Sequence, residues 1–178
     1  MQEQEKYNIL IADDDKAFID TISDVFWDHN LIITQEPPAV IEKLDANIDI
    51  VLLDLVFDEN NPDNPQGLNI LKNIQKQDDE LPVVIMTQFA SVDKSIKAFK
   101  LGAKDFIQKS KLDWSEWKNR ILNYCADFRK IKKLEIEAQK SESKPEIVGS
   151  SDEIIYLKRK IKDLAKNSSE SSILVTGE

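Results

Sequence analysis

Five side chains stand where chemistry is possible: Asp13 and Asp14 in ILIADDDKAF, Asp54 in IVLLDL, Thr87 in VVIMT and Lys109 in DFIQKS. Carboxylates brought together repel one another and resist burial. A divalent, oxygen-liking cation removes that conflict. Mg²⁺, or Mn²⁺ in its place, takes one or two carboxylates and keeps several waters, so it remains able to meet a phosphoryl group. Lys109 adds a compact positive charge. Thr87 adds a hydroxyl able to donate to a phosphoryl oxygen. Asp54 ends an apolar run that fixes its backbone, which makes it the best placed nucleophile, and carboxylates do form aspartyl-phosphate intermediates. Such a transfer needs little beyond positioning and charge neutralisation. Asp15 reads as an exposed helix cap. Taken singly, Thr87 is an ordinary strand end and Lys109 a solvated lysine. Their joint placement is what is specific.

The elements that must position these groups alternate strictly. NILIA (8–12), LIIT (31–34), IDIVLLDL (48–55), PVVIMT (82–87) and DFIQK (105–109) read as strands. The first and third are short apolar runs of the kind buried on both faces of a sheet. Helices are expected over 16–30, with Phe18, Ile22, Val25 and Phe26 on one face, and over 38–47, 68–77 and 91–102. Pro38 suits a first turn, Ser91 a cap and Gly102 a stop. The fold class is therefore α/β, a doubly wound five-stranded parallel sheet. Ligands of such sheets bind outside the carboxyl ends of the strands. Asp13, Asp14, Asp54, Thr87 and Lys109 all fall on that rim.

Composition narrows the function classes. The chain has 178 residues, 41% hydrophobic and 32% charged, with a net charge of −9. Residues 1–65 carry 16 acidic against 3 basic side chains, which argues against a nucleic-acid surface there. One histidine, His29, and one cysteine, Cys125, exclude an internal disulfide, a zinc cluster and most histidine-based catalysis. No apolar run reaches the ~20 residues of a membrane helix, and MQEQEKYNIL lacks a signal-peptide layout. A cytoplasmic location is expected.

At ADDD, LLDL, IMTQ and FIQK the chain resembles the receiver domain of two-component response regulators, and the resemblance implies a sheet of flavodoxin-like type. The resemblance implies that Asp54 accepts phosphate from a partner histidine kinase. It implies that Asp14, Asp54 and the backbone carbonyl of Val56 ligate Mg²⁺, with Asp13 acting mainly through water. It implies that Thr87 and Lys109 engage the phosphoryl oxygens, and that Phe106 is the aromatic that moves inward when Thr87 shifts. The chain departs from the family pattern at three places. Gln88 stands where a small residue is usual. Ser110 stands where a cis proline is usual, so a different turn is expected after the fifth strand. The 58–66 loop is longer than usual and is read as a tolerated surface insert. The apolar Val56 and Phe89, near the expected path of attacking water, predict slow dephosphorylation.

Residues 112–142 lack Pro and Gly and continue well past a final receiver helix. Trp117, Ile121, Tyr124, Phe128 and Ile131 form an a/d seam. Its first part must pack on the chain's own sheet, and the part after Phe128 is expected to pair with a second copy through Phe128, Ile131 and Leu134. ESKPE (142–146) reads as a linker. The last stretch, IVGSSDEIIYLKRKIKDLAKNSSESSILVTGE, resembles the opening of the AAA+ ATPase domain of enhancer-dependent transcription activators of the nitrogen-regulation class. A phosphate loop needs Gly-rich backbone and a Lys followed by Ser or Thr. No such run follows Gly177 here, so ATP chemistry is expected only in a parent protein.

The expected organisation is a receiver over 1–128, a helical linker over 129–146 and an AAA+ fragment over 147–178. The expected function is a phosphoacceptor switch that catalyses its own phosphorylation and dephosphorylation. Its expected partners are a sensor histidine kinase, a second copy of itself and, through the parent protein, RNA polymerase carrying the enhancer-dependent sigma factor. No nucleic-acid or membrane contact is expected from this stretch. Two alternatives stay open: a phosphorylation-independent interaction module whose acidic pocket binds only metal, and a receiver with a different output.

Overall fold

A computed structural model of the chain describes residues 5–58, 65–88 and 90–141, together with Tyr156 and Arg159. Five strands alternate with helices: β1 (Asn8–Ala12), α1 (Lys16–Val25), β2 (Asn30–Thr34), α2 (Pro37–Glu42), β3 (Ile50–Asp54), α3 (Gln66–Gln77), β4 (Val83–Thr87), α4 (Val92–Lys100), β5 (Asp105–Gln108) and α5 (Trp114–Ser141). The strands are all parallel, in the order β2-β1-β3-β4-β5. This is the expected flavodoxin-like sheet, and its order reverses between β1 and β3.

The reason for two buried faces is visible strand by strand. Side chains alternate across a strand. Ile9 and Ile11 of β1, Ile50 and Leu52 of β3, and Val84 and Met86 of β4 join one core cluster with Ile22 of α1, Phe26 at its C-terminal cap and Ile121 of α5. Leu10, Val51, Leu53, Val83 and Ile85 face the other cluster, with Leu71 and Ile74 of α3. The three central strands are therefore apolar at nearly every position. The edge strands are less covered: Ile33 of β2 is 38% exposed.

Helix ends differ from the sequence-based expectation for local reasons. The helix expected over 16–30 stops at Val25. The Asn30 N–H donates to the Tyr7 carbonyl and Asn30 pairs with Asn8, so the chain must reverse early to enter the sheet. The helix expected over 38–47 stops at Glu42. There the Asp45 carboxylate accepts the Asn47 N–H at 2.7 Å and closes an Asx-type turn instead. Gly102 ends α4 at φ 96°, the left-handed geometry that favours glycine.

α5 starts on an Asp113 cap, whose carboxylate accepts from Ser115 N and Glu116 N, both at 3.0 Å. Its buried stripe is Trp117, Ile121, Cys125 and Phe128. Cys125 takes the place expected for Tyr124, because a helix lying on a sheet buries a 3.6-residue stripe and not a coiled-coil seam. Burial pushes the Cys125 thiol up to about 12, so it stays neutral and serves packing. Tyr124 sits on the flank, where its hydroxyl donates to Asp105 at 3.2 Å. Phe128 is 6% exposed and belongs to the receiver core, so the expectation that it faces a partner helix is corrected. Ile131 and Leu134 are 44% and 56% exposed.

Arg129 pins the same helix to the start of the sheet. Its guanidinium donates to both Asp49 oxygens at 2.6 and 2.7 Å, to Glu5 at 2.8 Å and to the Lys6 carbonyl at 2.8 Å. The chain divides into two compact units, Met1–Leu134 and Glu135–Glu178. In the second, α5 continues to Ser141, and Tyr156 and Arg159 are helical and exposed. The ESKPE break and nearly all of the AAA+-like stretch lie outside the described residues, as do residues 59–64 and Phe89. Among the described residues no helix is long and apolar enough to cross a membrane.

Candidate functional site

β1 delivers Asp13 to the rim one residue past its last strand position, and β3 ends on Asp54. The two strands are neighbours, with Ala12 level with Leu53, so their carboxylates converge at the switch point of the sheet. Asp15 fixes the turn between β1 and α1. Its carboxylate accepts from Ala17 N and Phe18 N at 3.0 and 3.1 Å, the cap expected of it. Its own N–H donates to Asp13 Oδ1 at 3.1 Å. Asp14 is half-buried between them. One carboxylate oxygen from each of Asp13, Asp14 and Asp54 lies within 4.8 Å of the others.

Lys109 closes the site from the other side of the sheet. It opens a 3₁₀ turn over Lys109–Lys111 directly after β5. Its Nζ donates to Asp13 Oδ1 at 2.8 Å and to Asp54 Oδ2 at 3.1 Å. The side chains of Lys109, Asp13 and Asp54 are 7%, 0% and 6% exposed, so these charges are largely desolvated. Thr87, at the end of β4, is fully buried. Gln88 is exposed, and Ser110 sits inside the 3₁₀ turn. The peptide bonds of the described residues are all trans. Phe106 is half-buried on β5 and packs on the cluster beneath α3 and α4. The Val56 N–H donates to Asp54 Oδ1 at 3.3 Å, and Val56 itself is 2% exposed.

Electrostatics report the strain of this arrangement. Burial, opposed by Lys109 and reinforced by the Asp54 charge, pushes the Asp13 carboxyl up to about 7. Burial also raises Asp54, against the pull of Lys109 and the Val56 N–H. Burial works against a charged Lys109, yet the two carboxylates outweigh it and hold its pKa above the ordinary lysine value. One ammonium therefore serves two acids and leaves them short of positive charge.

The residues fit a hard cation. Asp13 Oδ2 is buried and accepts no hydrogen bond, its close neighbour being the Lys109 charge at 2.7 Å. That lone pair, the three clustered carboxylates and the absence of His or Cys from the group suit Mg²⁺ or Mn²⁺ better than zinc.

One supporting position had no place in the expected site. Gly67, in the first turn of α3, donates its N–H to the Leu55 carbonyl at 3.1 Å. A Cβ there would stand 2.3 Å from the Asp54 carbonyl oxygen and 2.7 Å from Leu55 Cα. A glycine opening a helix directly after a loop was the available signal. Gly67→Ala is expected to lower stability by about 1–3 kcal/mol, measured as a fall in the urea midpoint at constant slope.

Comparison with known proteins places the chain in a family. A family model described as the response regulator receiver domain matches residues 9–119. The luminescence regulatory protein LuxO of Vibrio campbellii is 31% identical over 141 residues, 78% of this chain and 29% of that protein. The transcriptional regulatory protein ZraR of Salmonella typhimurium is 26% identical over 176 residues, 97% of this chain and 38% of that protein. The chain thus spans well under half the length of these curated relatives. Among solved structures, NtrX from Brucella abortus in complex with ADP has a TM-score of 0.65 at 22% identity, covering 90% of this chain and 36% of that one. A CheY-like receiver from Methanospirillum hungatei has a TM-score of 0.62 at 20% identity, covering 71% of this chain and 98% of its own. These two likenesses speak for the fold.

Proposed function

Because the chain belongs to the response regulator receiver family, we propose that Asp54 is its phosphoacceptor and that a sensor histidine kinase is its donor. The observation that carries this reading is the buried triad of Asp13, Asp54 and Lys109 at the switch point of the sheet, with Asp14 and Thr87 on the same rim. An Asp54 oxygen forms the new P–O bond as the P–N bond to the donor histidine breaks, and the histidine nitrogen keeps the electron pair. Asp54 is held for this by its strand and by the Val56 N–H, which accounts for one oxygen and orients the other toward Lys109. Lys109 then trades a carboxylate for a phosphoryl oxygen, and the Thr87 hydroxyl donates to another.

Asp13, Asp14, Asp54 and the Val56 carbonyl are the groups that would hold Mg²⁺ or Mn²⁺, with Asp13 acting mainly through water. The bound ion supplies neutralisation of the phosphoryl charge. Phe106 would follow Thr87 inward and change the surface at α4 and β5.

The output is proposed in three parts: a receiver over 1–128, a helical linker over 129–146 and the start of an AAA+ domain over 147–178. Two facts support it. Ile131 and Leu134 are exposed beyond the receiver core, as a two-chain helical contact requires. The curated relatives are regulatory proteins much longer than this chain. In the parent protein the switch would act on an ATPase that works with RNA polymerase and its enhancer-dependent sigma factor, in the cytoplasm.

The deciding experiment is incubation with acetyl phosphate and Mg²⁺ followed by intact mass. One added phosphoryl group, removed by hydroxylamine and absent when EDTA replaces Mg²⁺, is the expected result. An unchanged mass would leave an acidic pocket without phosphoacceptor chemistry.

A further inference from the structure

Lys109 has a neighbour that the phosphoacceptor chemistry does not use. Its Nζ stands 4.7 Å from the centre of the Phe18 ring, inside the ~6 Å reach of a cation–π contact. An ammonium has three N–H donors on a flexible four-carbon stem. Asp13 and Asp54 account for two of them. We propose that Phe18 is a positioning residue for Lys109, its ring face holding the ammonium at the mouth of the site while the carboxylates and an incoming phosphoryl group exchange. This role rests on the phosphoacceptor reading above.

The chemistry of the contact suits that exchange. The site is already short of positive charge, and a third carboxylate beside Lys109 would compete with phosphate for it. A ring attracts the cation through its quadrupole without adding a charge or demanding one direction. Nζ is therefore free to swing between oxygens while staying in the site. Water, the alternative partner, is largely excluded, since the Lys109 side chain is 7% exposed.

Phe18 is itself fixed in place. Its N–H donates to the Asp15 cap at 3.1 Å, so the turn that aims Asp13 also aims this ring. Its outer side meets Trp114 of α5 at 5.8 Å between ring centres, tilted by 40°. Trp114 in turn packs edge-on against Trp117 at 5.6 Å. A residue that only filled space between α1 and α5 would need no aromatic face toward the lysine, and a leucine would serve.

Phe18→Leu keeps apolar bulk and removes the ring; Phe18→Tyr keeps both. The rate of phosphorylation by acetyl phosphate and the Mg²⁺ dissociation constant are measured for each. In Phe18→Leu the rate is expected to fall about 3- to 30-fold, the range a partly desolvated cation–π contact spans. Its Mg²⁺ binding is expected to be no weaker than wild type, because Phe18 is not a ligand. Phe18→Tyr is expected to match wild type on both counts. A Phe18→Leu rate equal to wild type overturns the positioning role alone. So does a joint loss of rate and Mg²⁺ affinity in both variants, which marks general damage to α1. A wild-type chain that takes up no phosphate sinks the phosphoacceptor reading and this role with it.

Discussion

Asp54→Asn is expected to take up no phosphoryl group under conditions that load the wild-type chain, and to melt at a higher temperature in Mg²⁺-free buffer. The first outcome follows from chemistry: an amide has no anionic oxygen to form the acyl phosphate, and no other carboxylate in the cluster ends a strand with its backbone locked in the ladder. The second follows from the sign of the Asp54 shift. Burial raises its folded pKa, so at neutral pH its ionised form opposes folding, and a neutral isostere relieves that cost. Asparagine has one acceptor oxygen where Asp54 uses two, so it keeps either the Val56 N–H or the Lys109 bond, and Lys109 retains its bond to Asp13. Intact mass after acetyl phosphate checks the first part and calorimetry the second. Phosphoryl uptake by Asp54→Asn would move the acceptor to another side chain. A lower melting temperature would mean that Lys109 stabilises the ionised Asp54 more than burial opposes it.

This trade of stability for function explains which parts of the molecule were legible in the sequence. The sheet was readable because β1, β3 and β4 are buried on both faces and so are apolar at nearly every position. The rim residues were readable because polar groups ending such strands violate the local pattern, and five violations fell on one edge. Helix ends were not, since α1 is cut short by Asn30 joining the sheet and α2 by the Asp45 turn, both tertiary or side-chain effects that override periodicity. Tyr124 and Cys125 exchanged places for a similar reason: the spacing of α5 fits a seam and a stripe equally, and only the sheet beneath it chooses.

Two distant contacts outside the rim pattern left no trace. Arg129 on Asp49 and Lys109 over Phe18 join positions 80 and 91 residues apart, and each member alone is an ordinary surface or core residue. Gly67 lies between these cases. Its type and position hinted at a close approach, while the target, the backbone that carries Asp54, was visible only in three dimensions.

Asp13→Asn is expected to produce the largest opposed pair of effects: a more stable metal-free chain and a much weaker Mg²⁺ site. With its carboxyl at about 7 in the folded chain and near 3.9 unfolded, Asp13 holds a proton in the native state that the unfolded state has released. The native state thus binds more protons between those values. Stability falls as pH rises through 7 and is regained as pH is lowered, by about 1–4 kcal/mol in all. Asparagine cannot ionise, so the variant is expected to be the more stable chain at pH 8 and to lose most of that slope. His29 acts with the opposite sign. Burial lowers its pKa, so its contribution is lost as pH falls through 6.5, but His29 is common to both chains, and the difference between their slopes from about pH 5 to 7.5 isolates the carboxyl. Mg²⁺ and the proton compete for the same oxygens. Wild-type Mg²⁺ affinity is therefore expected to fall about tenfold per pH unit below 7. In Asp13→Asn it should be weaker by about tenfold or more at pH 8 and nearly flat with pH apart from the residue of Asp54. Calorimetric melts with and without Mg²⁺ read both effects at once. Equal pH slopes in the two chains would show that Asp13 is already ionised at neutral pH, its charge met by Lys109 alone.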